Sequence, residues 1–444
     1  MTCVHSVEGM TLDDTKHRPD TAAAPGPRRA GVRSAERALA PDLARGLMLL
    51  LIVLSNTAFH LWSSDYGPAG WQPVDGGALD HAVQFGMITA LDLRVYPLFA
   101  FLFGYGMVQL YRRQVAAGTS ERDAVRILRR RSVLLVVIGF AHATLFMAGD
   151  IVGFYGVLSF VLGWVFLRRS DRALNWWIVI ATVQLLLISA EPVISALAEG
   201  NLGSLGTTGT PTPAYEPYAA EQGGWLAAAG TRLATGAFVT FAAAPLTLVG
   251  GAYVIFLLGF WAARRRILED PSGHLRLLRT TAVLGIALGW LGALPSALAH
   301  IGALDLPAHV QSETGILMIV RELTGMAAGL GYVAAITLFV HWWMKRRAKS
   351  RTHEATSGSA TENRAITAVA AVGKRSLSCY LAHSVLFAPL LAAWGLGLGE
   401  HLTSWSMAVF AVGVWLVTVL GAYAFEKRGW RGPAEVVLRK AMYR

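Results

Sequence analysis

The chain has 444 residues, 54% of them hydrophobic and only 15% charged, with a formal net charge of +11. Ordinary soluble domains carry roughly 25% charged residues; here the charges are clumped, which leaves apolar stretches of about 18 to 22 residues, the length that crosses a bilayer. A string of soluble domains is therefore excluded, and so is a nucleic-acid partner, because the basic residues gather at the ends of apolar runs instead of along one face.

In chain order, residues 1–38 mix charge, Pro, Ala and Gly without hydrophobic periodicity and read as a disordered tail. Apolar spans are then expected at 43–62, 94–111, 131–148, 151–167, 174–194, 241–262, 278–299, 314–343, 377–396 and 404–424. The first is too long for a removable signal peptide and should remain as an anchor. Residues 76–92 are mildly amphipathic and are expected along the outer interface. Residues 195–231 are expected as an outer loop with a short helix near Trp225. The stretch 345–372 reads as an inner loop, and the block 373–444 holds the last two spans and an inner-surface helix beginning at Pro433.

The distribution of Lys and Arg tests this list. Arg28, Arg29, Arg33 and Arg37 precede the first span, whereas 63–90 holds no Lys or Arg. The pattern repeats: Arg112 to Arg131 and then none at 149–150; Arg168 to Arg172 and then none across 195–231; Arg264 to Arg279 and then none across 300–311. Lys345 to Arg351, none at 396–403, and Lys427 to Arg431 complete it. Basic residues accumulate in cytoplasmic loops, so the expectation is an all-α, polytopic transmembrane helix bundle of about ten spans, both termini cytoplasmic. Its first eight spans fall within 39–344. Cys3 and Cys379 are too few for a disulfide framework or a cysteine-held metal, and no metal-ligand motif is present.

Ionisable groups inside a bilayer are costly and become functional candidates by default. By this topology Asn56 and His60 lie in the outer half of span one, and His81 in the segment before span two. Asp92 and Arg94 lie at the outer start of span two, His142 in the outer half of span three, and Asp150 at the following turn. Arg321 and Glu322 lie inside span eight. Asp150 precedes an apolar run and suits an N-cap. His142 has the plain alternative of bonding a neighbouring helix. Arg321 and Glu322 are adjacent, point about 100 degrees apart on a helix, and need separate partners; Asp92, Asp150, Glu191 and Glu313 are the carboxylates at matching depth for Arg321. "GIALG" (Gly285, Gly289) and "GMAAG" (Gly325, Gly329) have small-xxx-small spacing and are expected to pack helices.

The blocks "APDLARGLMLLLIVLSN" (40–56), "RVYPLFAFLFGYG" (94–106), "RRRSVLLVVIGFAHATLFMAGDIVGFYGVL" (129–158), "GKRSLSCYL" (373–381) and "GPAEVVLR" (432–439) resemble the YeiB-like family. This is a group of bacterial multi-pass membrane proteins with a domain of unknown function numbered 418. The resemblance runs from about residue 40 to 442, weakly through 171–240, and implies residence in the bacterial cytoplasmic membrane. More distantly, the Asp-x-x-Arg-Gly block and the polar residue ending "VLSN" are similar to membrane acyltransferases that use cytoplasmic acyl-CoA. That similarity implies Asp42, Arg45 and Asn56 beside a donor channel and acyl-CoA as donor substrate; it matches no catalytic base, for which His142, His60 and His81 are candidates by residue type. The sequence by itself firmly implies no cofactor and no partner beyond the bilayer.

Three functions follow as expectations. An acyltransferase would use Asp42, Arg45 and Asn56 for the donor and a neutral histidine as general base. A transporter of a small anionic or lipid-linked solute would use Asp92, Arg94, Asp150, Arg321, Glu322 and His142, with helices broken in span eight at Gly325, Gly329 and Gly331 and near Pro245, Gly250 and Gly251. A non-catalytic assembly partner would need none of them.

Overall fold

The computed structural model describes residues 39–201, 203, 205–206, 211–353 and 363–443. The expected tail 1–38 and part of the expected inner loop 345–372 lie outside the described residues. Among the described residues the chain is helical, and its only extended pairing is a lone bridge between Tyr66 and Pro73.

Sixteen helices follow in order. They are α1 (Leu39–Ser55), α2 (Ala78–Ala90), α3 (Val95–Ala116), α4 (Glu121–Leu145), α5 (Ile151–Phe166), α6 (Asp171–Ala198), α7 (Trp225–Ala237), α8 (Ala244–Val249) and α9 (Val254–Arg264). After them come α10 (Leu275–His300), α11 (Ala308–Gln311), α12 (Ile316–His353), α13 (Arg364–Lys374), α14 (Ser376–Leu391), α15 (Ser404–Lys427) and α16 (Pro433–Met442).

Among the described residues five helical stretches are long and apolar enough to cross a membrane: Asp171–Ala198, Trp225–Val249, Pro271–His300, Ala308–Arg346 and Ser404–Lys427. The bent pair α2 and α3 makes a sixth. α6 leaves Trp176, Val179, Ile180, Val183, Leu187 and Ile194 uncovered, a surface that water would penalise and lipid would not. This is the surface of a membrane protein. The other expected spans are helical too, but α1, α5 and α14 have only 16 or 17 residues.

Two spans are interrupted, each for a visible reason. α2 and α3 meet at 41° across Leu91–Arg94, where Leu93 has φ of 63°. Residues 76–92 thus continue into α3 as one arm of a bent pair. α2 packs on α10 and α15, with Gln84 Nε2 donating to Ser404 Oγ at 3.0 Å. The expected span 241–262 begins earlier, at Trp225, passes through a wide π-turn over Phe238–Ala243 into α8, and breaks at Gly250–Tyr253. Gly251 has φ of 80° there, and an added Cβ would run into the α6 backbone at Ala181 and Leu185. Gln184 of α6 donates its amide to the freed carbonyls of Leu248 and Val249. Such groups find no partner in lipid, so a side chain of a neighbouring helix must supply one.

The glycine pairs set helix approach as their spacing predicts. Gly285 and Gly289 of α10 face Ala327, Ala328 and Thr324 of α12, whereas Gly325 and Gly329 of α12 face the α2–α3 break at Leu93 and Arg94. At the basic end, Lys374 and Arg375 both bond Glu426 (2.6 and 2.8 Å). Glu435 of α16 accepts from the backbone amides of Leu377 and Ser378 (2.9 and 3.2 Å), capping the first turn of α14 from another helix. The "GKRSL" and "GPAE" blocks are therefore two halves of one latch.

Candidate functional site

A cavity of about 310 Å³ opens at the basic end of the bundle among the half-buried side chains of Arg45, Arg113, Arg131, Lys374 and Arg439. Leu49, Leu102, Leu135 and Val152 form part of its apolar wall, and Tyr380 also lines it. Five basic residues line it against two acidic ones, Asp42 and Glu435, so its mouth attracts anions. Asp42 and Arg45 pair at 3.2 Å one turn apart on α1. The "GYG" of α3 is also explained: an added Cβ at Gly104 would strike the Phe256 carbonyl, and one at Gly106 would strike the Arg45 guanidinium. One glycine closes the α3–α9 contact and the other gives Arg45 its place.

Beyond the inner end of the cavity lies the α4–α5 hairpin. Asp150 caps α5, its Oδ2 accepting from the Gly153 amide at 2.6 Å. Its Oδ1 lies 2.8 Å from His142 Nδ1. Both side chains are buried. The carboxylate therefore fixes the ring, and with a proton on Nδ1 the free nitrogen is Nε2, which has no hydrogen-bond partner. Sequence gave Asp150 and His142 separate explanations. The chain joins them, because a tight turn brings residues eight apart onto facing helices.

The His142 ring packs 5.2 Å from the Tyr380 ring, and the Tyr380 hydroxyl accepts from the Ile151 amide at 3.3 Å. Tyr380 also borders a second, small cavity of about 10 Å³ that includes Asn56, His60, His383 and Ser384. Neither ring nitrogen of the buried His60 has a partner, and His383 Nε2 meets Thr418 Oγ1 at 3.0 Å. A single ring thus separates the basic cavity from a pair of buried histidines. His60 shares the small cavity with Tyr380, and His142 packs on the same ring. His81, on α2, lines neither cavity and shares no described contact with His142. Over the second cavity Tyr218 stacks on Phe59 at 4.1 Å and reaches Gly149, so residues from the expected outer loop close this end.

The remaining predicted residues form a separate cluster. Asp92 Oδ2 accepts from Gln72 Nε2 at 3.1 Å and lies 3.7 Å from Arg321 Nη2. Arg94, fully buried, donates to the Asp92 carbonyl and to the Gly289 carbonyl, the latter at 2.7 Å. Glu322 points elsewhere, exposed, with the Tyr96 hydroxyl 3.5 Å away. Of the carboxylates at matching depth, Asp92 is therefore the one that meets Arg321. Among the described residues no group of three or more His, Cys, Asp or Glu is arranged to hold a metal.

Sequence reasoning missed Tyr380 and His383, and with them Arg113, Arg131, Lys374 and Arg439. Tyr380 and His383 are three residues apart in "SCYLAH", one helical face inside an expected span, and that polar spacing was the available signal. The basic residues had been absorbed into topology.

Residues 262–444 match the family model described as "Protein of unknown function (DUF418)". The chain is similar to the uncharacterized protein YeiB of Escherichia coli (strain K12), 25% identical over 92% of this chain and 97% of that one. It is also similar to the uncharacterized protein YxaH of Bacillus subtilis (strain 168), 23% identical over 90% and 93%. No solved structure matches the chain significantly.

Proposed function

Since this chain belongs to the YeiB-like, DUF418 family, whose description carries no activity, we propose from its geometry that it transfers an acyl group from an anionic cytoplasmic donor to a hydroxyl or amine acceptor. The proposal places the protein in the bacterial cytoplasmic membrane as about ten spans with both termini inside, the basic end facing the cytoplasm. In it 1–38 is a tail, 39–344 carries the first eight spans, 345–372 is an inner connection, and 373–444 closes the donor site. The observation that carries the reading is the basic cavity ending on Tyr380, directly against a His142–Asp150 pair.

The chemistry follows from the groups present. Arg45, Arg113, Arg131 and Arg439 hold the anionic part of an acyl-CoA-like thioester, bidentate guanidinium recognition being suited to phosphates. The acyl chain lies along Leu49, Leu102 and Leu135. His142 Nε2 takes the acceptor proton as the acceptor oxygen or nitrogen forms its bond to the thioester carbon, and the leaving thiolate recovers that proton. Asp150 keeps Nδ1–H fixed and stabilises the transient imidazolium. Because Tyr380 stands between cavity and imidazole, the ring must rotate aside or its hydroxyl must pass the proton.

The test uses purified protein in lipid nanodiscs with radiolabelled acetyl-CoA and an envelope extract as acceptor. Labelled product is expected, with a loss on the order of 10²–10⁴-fold in His142→Ala and in Arg45→Gln a raised donor requirement. Tyr380→Phe divides the two routes: retained rate means rotation, lost rate means relay. Normal labelling in His142→Ala sinks the mechanism. The two broken spans favour a second reading, transport, since transporters often break helices at mid-depth. Against it, Gln184 and Arg94 occupy the breaks, and neither break lines the basic cavity. Solute flux without acyl transfer would decide for transport.

A further inference from the structure

At the end of the bundle away from the basic mouth, a cavity of about 200 Å³ lies beneath the 68–74 loop, between α10 and α12. Its polar lining consists of Arg321, His300, Ser296 and Gln311, and no carboxylate borders it. Arg321 is 4% exposed and makes no hydrogen bond among the described residues. Its one ion-pair partner among the described residues is Asp92, at 3.7 Å, beyond hydrogen-bonding distance, and that carboxylate already takes the Gln72 amide at 3.1 Å. A guanidinium carries five donors, and buried polar groups are nearly always bonded. The Ser296 hydroxyl, also buried, is likewise without a partner.

Charge gives an independent argument. Arg94 and Arg321 are both buried, and the only buried carboxylate beside them is Asp92. Glu322, the nearest alternative in sequence, is exposed and turned to Tyr96. His300 Nε2 is committed to the Pro73 carbonyl at 2.8 Å, so it adds no anion. The cluster holds one positive charge more than it can neutralise, and an uncompensated buried charge is strongly unfavourable.

We propose that this cavity is a binding site for a small oxyanion, a carboxylate or a phosphate monoester, held by the Arg321 guanidinium and the Ser296 hydroxyl. Asp92 sets its strength: it orients Arg321 at a distance that leaves the donors available, and it weakens the site by its own charge. The site is about 200 Å³ in volume, enough for a compact anionic ligand or one lipid phosphate group. It is separate from the donor cavity and does not depend on the acyl-transfer reading.

The experiment reads the unfolding midpoint of the full chain in phosphatidylcholine nanodiscs at constant ionic strength, with acetate or inorganic phosphate replacing chloride. A ligand that binds only the folded state raises that midpoint in proportion to the logarithm of its concentration. A rise of several degrees is expected for the wild type, abolished in Arg321→Gln and larger in Asp92→Asn. Ala299→Leu, which fills the cavity from its wall, is expected to keep the starting midpoint and lose the rise. It stands in if Arg321→Gln does not fold. A second arm replaces part of the phosphatidylcholine with phosphatidylglycerol. A rise from that lipid alone identifies a headgroup as the source of the anion, and a rise from free acetate or phosphate identifies a soluble one. No rise in any arm, or an equal rise in Arg321→Gln and Ala299→Leu, overturns the proposal.

Discussion

Two buried pairs of a carboxylate with a cationic or ionisable partner lie in this bundle, and they are built in opposite ways. In the α4–α5 hairpin both Asp150 oxygens are used, one on the Gly153 amide at 2.6 Å and one on His142 Nδ1 at 2.8 Å. Its partners are close in sequence, so the turn that places the cap also places the ring. Asp92 and Arg321 come from distant segments, meet only at 3.7 Å, and leave the guanidinium Nε without a hydrogen bond among the described residues. A pair whose partners are fixed locally can hold a base in one orientation. A pair assembled from distant helices, with donors to spare, behaves as a socket. The difference lies less in residue type than in how fully the chain has spent each group's hydrogen bonds.

Asp150→Ala should produce the largest effect. It removes the α5 cap and leaves the His142 ring without its partner, and each of these is a buried loss. Losing a buried hydrogen bond to a charged group costs roughly 1.5–3 kcal/mol, and a lost cap about 1 kcal/mol. Asp150→Asn keeps a good cap and should recover a good part of that stability while activity stays low, because an amide cannot compensate the imidazolium. Reversible unfolding in mixed micelles, read beside acyl transfer, checks both. If Asp150→Ala costs less than about 1 kcal/mol, the hairpin is not the fixed element that this comparison needs.

Asp92→Asn should come next, with a dependence the hairpin lacks. It leaves Arg94 and Arg321 buried without a carboxylate, so in chloride the loss should be on the order of 2–4 kcal/mol. Acetate or phosphate should return part of it. A loss equal in all three anions would make Asp92 an ordinary structural partner and erase the contrast with Asp150.

Much of this arrangement was readable beforehand, for physical reasons. Bilayer length fixes apolar runs and charge marks their ends, so α5 falls within its expected stretch and α3, α6, α10, α12 and α15 cover most of theirs while running past one or both ends. Asp150 was legible as a cap because capping is local. The bends at Leu91–Arg94 and Gly250–Tyr253 were harder, since a broken span has the same hydropathy as a whole one; only the Gly250–Gly251 pair gave a signal. The meeting of Tyr380 with His142 was not legible, because it depends on how α14 packs beside α4 and α5. The basic residues of the cavity were legible as a group but were assigned wholly to topology. The same arginine can mark the inner face and line a site, and hydropathy does not distinguish the two.

The smallest effect is expected where intuition about buried ion pairs points to a large one. Arg321→Gln removes a cation from a cluster with one too many, leaving Arg94 and Asp92 in balance. Asp92 keeps its Gln72 hydrogen bond, and the new amide can donate toward the same oxygen. What is lost is a contact at 3.7 Å and the packing of the aliphatic stem; what is gained is relief from burying an extra charge. These terms oppose each other, and the net change in anion-free lipid should be below about 1 kcal/mol in either direction. His142→Gln gives the matched comparison, since it too replaces a partner of a buried carboxylate with an amide, and it should cost more because both Asp150 oxygens depend on the geometry of the turn. Unfolding free energies of the two variants, measured side by side in the same micelles, order the pairs. If Arg321→Gln proved the costlier, Arg321 would be a structural strut, and the cluster, not the hairpin, would be the rigid part of this end of the bundle.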